Sequence, residues 1–124
     1  MTTQVPEWAE SIPEFLVFEE LVRRGLEPGI DFFYQSPLFG GRHIRGGRVI
    51  DFYFVNPPNL AINVQGVYFH QEQGATKIAD DRNLRRALAG ENIILIFIDD
   101  TAILKDVRGV VGDALNYIDR SNLG

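Results

Sequence analysis

The chain has 124 residues, 45% of them hydrophobic and 23% charged, with a net charge of −5 and no cysteine. One domain of this length buries about two-thirds of the surface its unfolded chain exposes, so a core can form without staples. The composition excludes an intrinsically disordered chain. Cysteine-free composition also excludes disulfides, thiolate nucleophiles and cysteine-ligated zinc. No apolar run approaches the ~20 residues of a membrane span, and the opening MTTQVPEWAE lacks the basic and apolar regions of a secretion signal. A soluble cytoplasmic protein without membrane contact is expected. Residues 1–40 hold seven acidic against two basic residues, whereas residues 41–124 hold ten of each. The acidic total argues against a non-specific nucleic-acid coat but leaves room for local basic patches.

Residues 1–10 read as a loose leader, 11–120 as one domain and 121–124 as a tail. Ser11-Ile12-Pro13-Glu14 has capping-box spacing with Pro in the first turn, which predicts a helix from Ile12 to Arg24, stopped at Gly25. Glu19–Arg23 and Glu20–Arg24 are i,i+4 pairs that read as its solvent face, with Phe15, Phe18, Leu21 and Val22 as the inward stripe. A turn at Leu26–Gly29 precedes a short strand near Ile30–Gln35. Residues 36–48 are a Gly- and Arg-rich loop or open hairpin.

Val49–Val55 alternates as a strand, placing Asp51 and Tyr53 on one face and Ile50, Phe52 and Phe54 on the other. Asn56-Pro57-Pro58-Asn59 is a turn leading into a second strand, Leu60–Gln65, so the pair predicts an antiparallel hairpin. In that second strand Leu60, Ile62 and Val64 face one way, Asn63 and Gln65 the other, on a face expected to be open to solvent. A helix is predicted over Thr76–Ala89, ended by Gly90. Ile93–Ile98 is apolar on both faces, as in a central strand covered on both sides. Asp99-Asp100-Thr101 then ends that strand and caps the next turn. Val107, Val110, Val111, Ala114, Leu115 and Ile118 form the stripe of a last amphipathic helix. The order α-β-β-β-α-β-α predicts an α/β fold, a single mixed sheet with flanking helices.

The chain has no G-x-S-x-G elbow, no H-E-x-x-H and no Gly-rich loop ending in Lys-Ser/Thr. What remains is a helix acid, a strand bearing Asp51, a strand bearing Asn63 and Gln65, and a following Gly-aromatic-aromatic-His stretch. Oxygen ligands converging on a divalent cation are what a metal-dependent phosphodiesterase needs. Pro13-Glu14, Phe33-Tyr34-Gln35, Gly47…Ile50-Asp51-Phe52, Ile62-Asn63-Val64-Gln65-Gly66…His70, Asp81…Arg85…Leu88 and Ile94…Phe97 fall in order over residues 13–118. This run resembles the small nucleases related to very-short-patch repair endonucleases, a branch of the PD-(D/E)XK restriction-endonuclease-like superfamily.

The resemblance implies a restriction-endonuclease-like fold and Mg²⁺- or Mn²⁺-dependent endonuclease activity on DNA. It makes Asp51 the principal metal ligand, Glu14 the supporting carboxylate and Gln65 the residue that positions water. His70 becomes a general base or phosphate contact, with Arg85 also touching phosphate. Asn63 stands where the family carries a second metal-binding Glu; its amide oxygen can ligate but brings no charge, which weakens a hard-cation site. The alternative is therefore a catalytically inactive nuclease-fold module for nucleic-acid binding or an assembly role. A phage origin, with the protein carried in the particle, stays open, as does a homodimer.

Each residue also has a plainer reading. The capping box alone explains Glu14, and a helix pair explains Asp81–Arg85. Arg42, His43, Arg45 and Arg48 are a solvated loop or a set of phosphate contacts. Asp51 is the hardest to set aside, because strands are depleted of Asp.

Overall fold

The computed structural model describes residues 11–35 and 50–121, with the side chains of all of these except 67–77. The leader, the tail residues 122–124 and the basic loop carrying Arg42, His43, Arg45 and Arg48 lie outside the described residues. The element order is α1 (Ile12–Arg23), β1 (Phe32–Tyr34), β2 (Phe52–Phe54), β3 (Leu60–Gln65), α2 (Val67–Ala89), β4 (Ile94–Asp99) and α3 (Asp100–Leu115). The four strands form one mixed sheet in the order β1-β2-β3-β4, antiparallel at the first two junctions and parallel at the last. The class is thus α/β as expected, with β2 alone running against the other strands.

Helix α1 starts where its sequence says. Ser11 is the N-cap, and its hydroxyl accepts the Glu14 N–H at 3.3 Å. Gly25, at φ +90°, provides the left-handed turn that follows. The inward arc differs from expectation, because it centres on Val17 and Leu21, both fully buried, and leaves Val22 45% exposed. Glu20, expected at the solvent face, is only 4% exposed. It tolerates burial because two guanidinium groups reach it: Arg23 Nε and Nη2 at 2.7 and 2.6 Å, and Arg24 Nε at 2.7 Å. Arg23 thus pairs with Glu20 rather than with Glu19. Arg24 also donates from Nη2 to the Arg108 carbonyl in α3 at 3.0 Å, so this cluster fastens α1 to α3.

Each sheet face has its own apolar cluster. Phe32, Phe52, Phe54, Leu60, Ile62, Ile96 and Ile98 pack against Val17 and Leu21 of α1 and Ile103, Val111 and Ala114 of α3. Ala61, Leu95 and Phe97 pack on the other face against Leu84 and Leu88 of α2. Ile50 joins this second cluster, opposite to the side its alternation predicts. The cause lies at Asp51, where the β2–β3 ladder breaks. Continuing the register would pair the Val64 N–H with Ile50, yet that N–H donates to Asp51 Oδ2 at 2.8 Å. With its ladder role taken by a side chain, the Ile50 backbone leaves the pleat and its side chain turns toward α2.

Three further elements depart from the sequence reading. Helix α2 begins at Val67, nine residues before the predicted start, and absorbs the aromatic run. No side-chain hydrogen bond caps Gly66, its N-cap, so no capping signal marks the start. Strand β4 lies at the edge of the sheet, not its centre, and is apolar on both faces because helices cover both. Helix α3 begins at Asp100 and is interrupted at Asp106 (φ −157°, ψ 78°), whose Oδ1 accepts the Gly109 N–H at 3.1 Å. The expected helix from Val107 is the second half of α3, restarted by Asp106 acting as an internal cap. It ends at Leu115, and Ile118, 40% exposed, falls beyond it. Tyr117, at φ +63°, turns the chain there and donates its hydroxyl to the Pro58 carbonyl at 2.6 Å.

Candidate functional site at the sheet end

Strands β1, β3 and β4 run in one direction, so their carboxyl ends gather at one end of the sheet together with the start of β2. In open α/β sheets ligands bind outside such strand ends. Helices α2 and α3 both begin there, directly after β3 and β4. Among the polar side chains that the local sequence places at this end are Glu14, Gln35, Asp51 and Asn63.

Glu14 reaches it from the first turn of α1. Its Oε1 accepts from the Tyr34 hydroxyl at 2.8 Å and from Gln35 Nε2 at 3.0 Å, and its Oε2 accepts from the Ser11 hydroxyl at 3.2 Å. Among the described residues these donors are all neutral, so no cation offsets the carboxylate. The capping box therefore accounts for only part of what Glu14 does. Gln35 continues the chain of contacts, because its backbone N–H donates to the Asp51 carbonyl. Asp51, just before β2, and Asn63, in β3, then bond to each other: the Asp51 N–H donates to Asn63 Oδ1 at 2.9 Å. Glu14, Gln35, Asp51 and Asn63 are thus joined in one hydrogen-bonded series drawn from α1, the end of β1, the start of β2 and the end of β3.

Gln65 lies two residues beyond Asn63 and sits opposite Asp99 in the parallel register. No hydrogen bond joins it to the series. It is 4% exposed, and both its Nε2 and Oε1 are buried without a hydrogen-bond partner among the described residues. Buried amides are normally satisfied, so this one has donor and acceptor capacity that the described residues leave unused. The face expected to be open is in fact covered: Asn63 is 6% and Asp99 9% exposed. His70 falls on the fourth residue of α2, and its side chain is outside the described set. Arg85 is elsewhere engaged. Its guanidinium lies 5.4 Å over the Phe97 ring and its Nη2 is 3.3 Å from Asp119 Oδ2. Asp81, one turn earlier, is fully buried.

The oxygen donors of Glu14 and Asp51 suit a hard divalent cation. Asn63 offers less, because one lone pair of its oxygen already serves the Asp51 N–H. Among the described residues no group of three or more His, Asp and Glu is arranged to hold a metal. Any ion here would rest on two carboxylates and amide oxygens alone, and the series reaches Asp51 through its backbone carbonyl, not its carboxylate. Sequence reasoning missed Tyr34 and Gln35 as members of this set; the Phe33-Tyr34-Gln35 motif marked the place but not the contact with Glu14. No helix among the described residues is long and apolar enough to cross a membrane. No family model, curated protein or solved structure matches the chain.

Proposed function

We propose that this sheet end is a phosphodiester site, and that the protein is a divalent-metal-dependent DNA endonuclease of the PD-(D/E)XK type. The observation that carries the reading is the Glu14–Gln35–Asp51–Asn63 series, which holds two carboxylates from separate elements at the strand ends. The α-β-β-β-α-β-α order and the single reversed strand support it, since the resemblance implies one mixed sheet with flanking helices in that order. Asp51 and Glu14 would hold Mg²⁺ or Mn²⁺, with Asn63 as a neutral third donor. Such an ion polarises a phosphoryl oxygen and acidifies water. Gln65 orients water, and His70 with the loop residues Arg42, His43, Arg45 and Arg48 contacts the DNA backbone; Arg85, held by Asp119, is left out of this set.

One observation favours a second reading. Asn63 Oδ1 and Asp51 Oδ2 both accept backbone N–H groups, so the pair already completes the sheet end without a metal. A catalytically silent nuclease-fold module for nucleic-acid binding or assembly would keep these bonds unchanged. Nicking of supercoiled plasmid separates the two. The endonuclease reading expects nicking in Mn²⁺, none in EDTA, and none from Asp51→Asn in either. DNA binding in a mobility shift without nicking in any divalent ion supports the silent module. A chain that neither nicks nor binds DNA overturns both.

A further inference from the structure

We infer that Gln35 is the positioning residue of this site, fixing the Glu14 carboxylate relative to Asp51; the inference rests on reading those two acids as the cation-holding pair. The argument begins with the pleat of β1. Phe32 is buried with α1 and α3 and Tyr34 packs against the same cluster, while Phe33 points the other way, opposite Tyr53. Alternation would send Gln35 to the side of Phe33, away from α1. Its side chain nevertheless meets Glu14 on the α1 side. The backbone explains how: Gln35 has φ +52°, in the left-handed region that residues with a Cβ rarely adopt. That rotation turns two consecutive side chains, Tyr34 and Gln35, onto one carboxylate oxygen. It also leaves the Gln35 N–H facing the Asp51 carbonyl.

A turn alone would not need glutamine. Glycine adopts this φ without strain and asparagine tolerates it better. What glutamine adds is an amide donor long enough to reach Glu14 while its own backbone grips β2 at the residue bearing the second carboxylate. Tyr34 supplies the other donor to the same Glu14 oxygen. Gln35 touches both acid-bearing segments, Glu14 through its amide and Asp51 through its backbone N–H, and strained backbone at such a point is characteristic of sites where geometry matters more than local stability.

The test is a cycle of Mn²⁺ affinities by calorimetry on the full chain: native, E14Q, Q35G, the double variant, and D51N. Q35G is expected to fold, because glycine suits the backbone, and to bind Mn²⁺ on the order of fivefold more weakly. E14Q should weaken binding similarly, and the double variant should be no weaker than either single one, since Gln35 acts through Glu14. Should Q35G not fold, Gln35→Asn takes its place: it tolerates the same φ but falls short of Glu14. Native-like Mn²⁺ affinity in Q35G, or losses that add in the double variant, overturn the inference while the site reading stands. If the native chain binds no Mn²⁺, or E14Q and D51N leave binding unchanged, the site reading itself falls and the inference with it.

Discussion

Glu20 shows what one buried charge does in this fold. The Arg23 hydrogen bond holds its carboxyl at about 2, down from an ordinary 4.5, against the upward push of burial and with Arg24 adding to the pull. A carboxyl depressed in the folded state stabilises the fold fully above its unfolded value and loses that stabilisation as pH falls through the folded one. The window is therefore pH 4.5 down to about 2. Glu20→Gln keeps the shape but leaves Arg23 and Arg24 without a charged partner. Arg23 is half exposed, which limits the effect, so a loss of about 1–2 kcal/mol at pH 7 is expected. Urea unfolding at several pH values should show the native chain's advantage over this variant constant from pH 7 to 5 and shrinking below. A constant gap down to pH 2 would mean that packing, not charge, sets the effect. The sequence marked Glu20–Arg24 as a pair and misplaced it, because i,i+4 spacing reports who can meet but not which face is buried.

At the scale of elements, the edge strand β4 depends on a residue outside any helix or strand. Asp119 Oδ2 accepts the Phe97 N–H at 3.0 Å, on the edge facing away from β3, and pairs with Arg85 of α2. Its Oδ1 takes the Ser121 N–H at 2.8 Å and the Ser121 hydroxyl at 2.6 Å. One carboxylate thus ties the end of the chain to β4 and α2 and occupies an edge N–H that could otherwise pair with another strand. Asp119→Ala should cost about 1–3 kcal/mol, because it strands a backbone donor in a partly buried place. Hydrogen exchange locates the effect: the Phe97 amide should lose protection while those of Ile96 and Ile98, bonded toward β3, keep theirs. Equal loss across β4 would show that Asp119 stabilises the whole fold instead. Capping and alternation made α1, the β2–β3 hairpin and the apolar β4 run legible in advance. The early start of α2 and the edge position of β4 were not, since a Gly N-cap carries no side-chain signal and two covered faces look alike in a central or an edge strand.

For the whole molecule, the question is whether the fold is built around a metal or complete without one, and here the sequence was legible only in part. It picked out Asp51 and Asn63 because acids and amides within strands are uncommon enough to notice, and Glu14 through the family resemblance, and the structure joins all three. It could not foresee that Asn63 and Asp51 spend oxygens on backbone N–H groups, since that depends on a ladder break no periodicity records. Asn63→Asp probes this point better than a longer Glu, for which a position 6% exposed has little room. Asp keeps an oxygen for the Asp51 N–H and sets a second negative charge beside Asp51. Without metal the variant should be less stable by about 1–3 kcal/mol, the cost of like charges in a buried place. A divalent cation that relieves their repulsion stabilises the folded state alone, by about 2.7 kcal/mol at a hundredfold excess over Kd. Thermal unfolding should therefore show Mn²⁺ raising the midpoint of Asn63→Asp more than that of the native chain, with the excess lost when Asp51→Asn is added. If Mn²⁺ leaves the variant's midpoint unmoved, the two positions do not share an ion. Asp51 and Asn63 are then a strut of the sheet end, and the silent-module reading is the one to pursue.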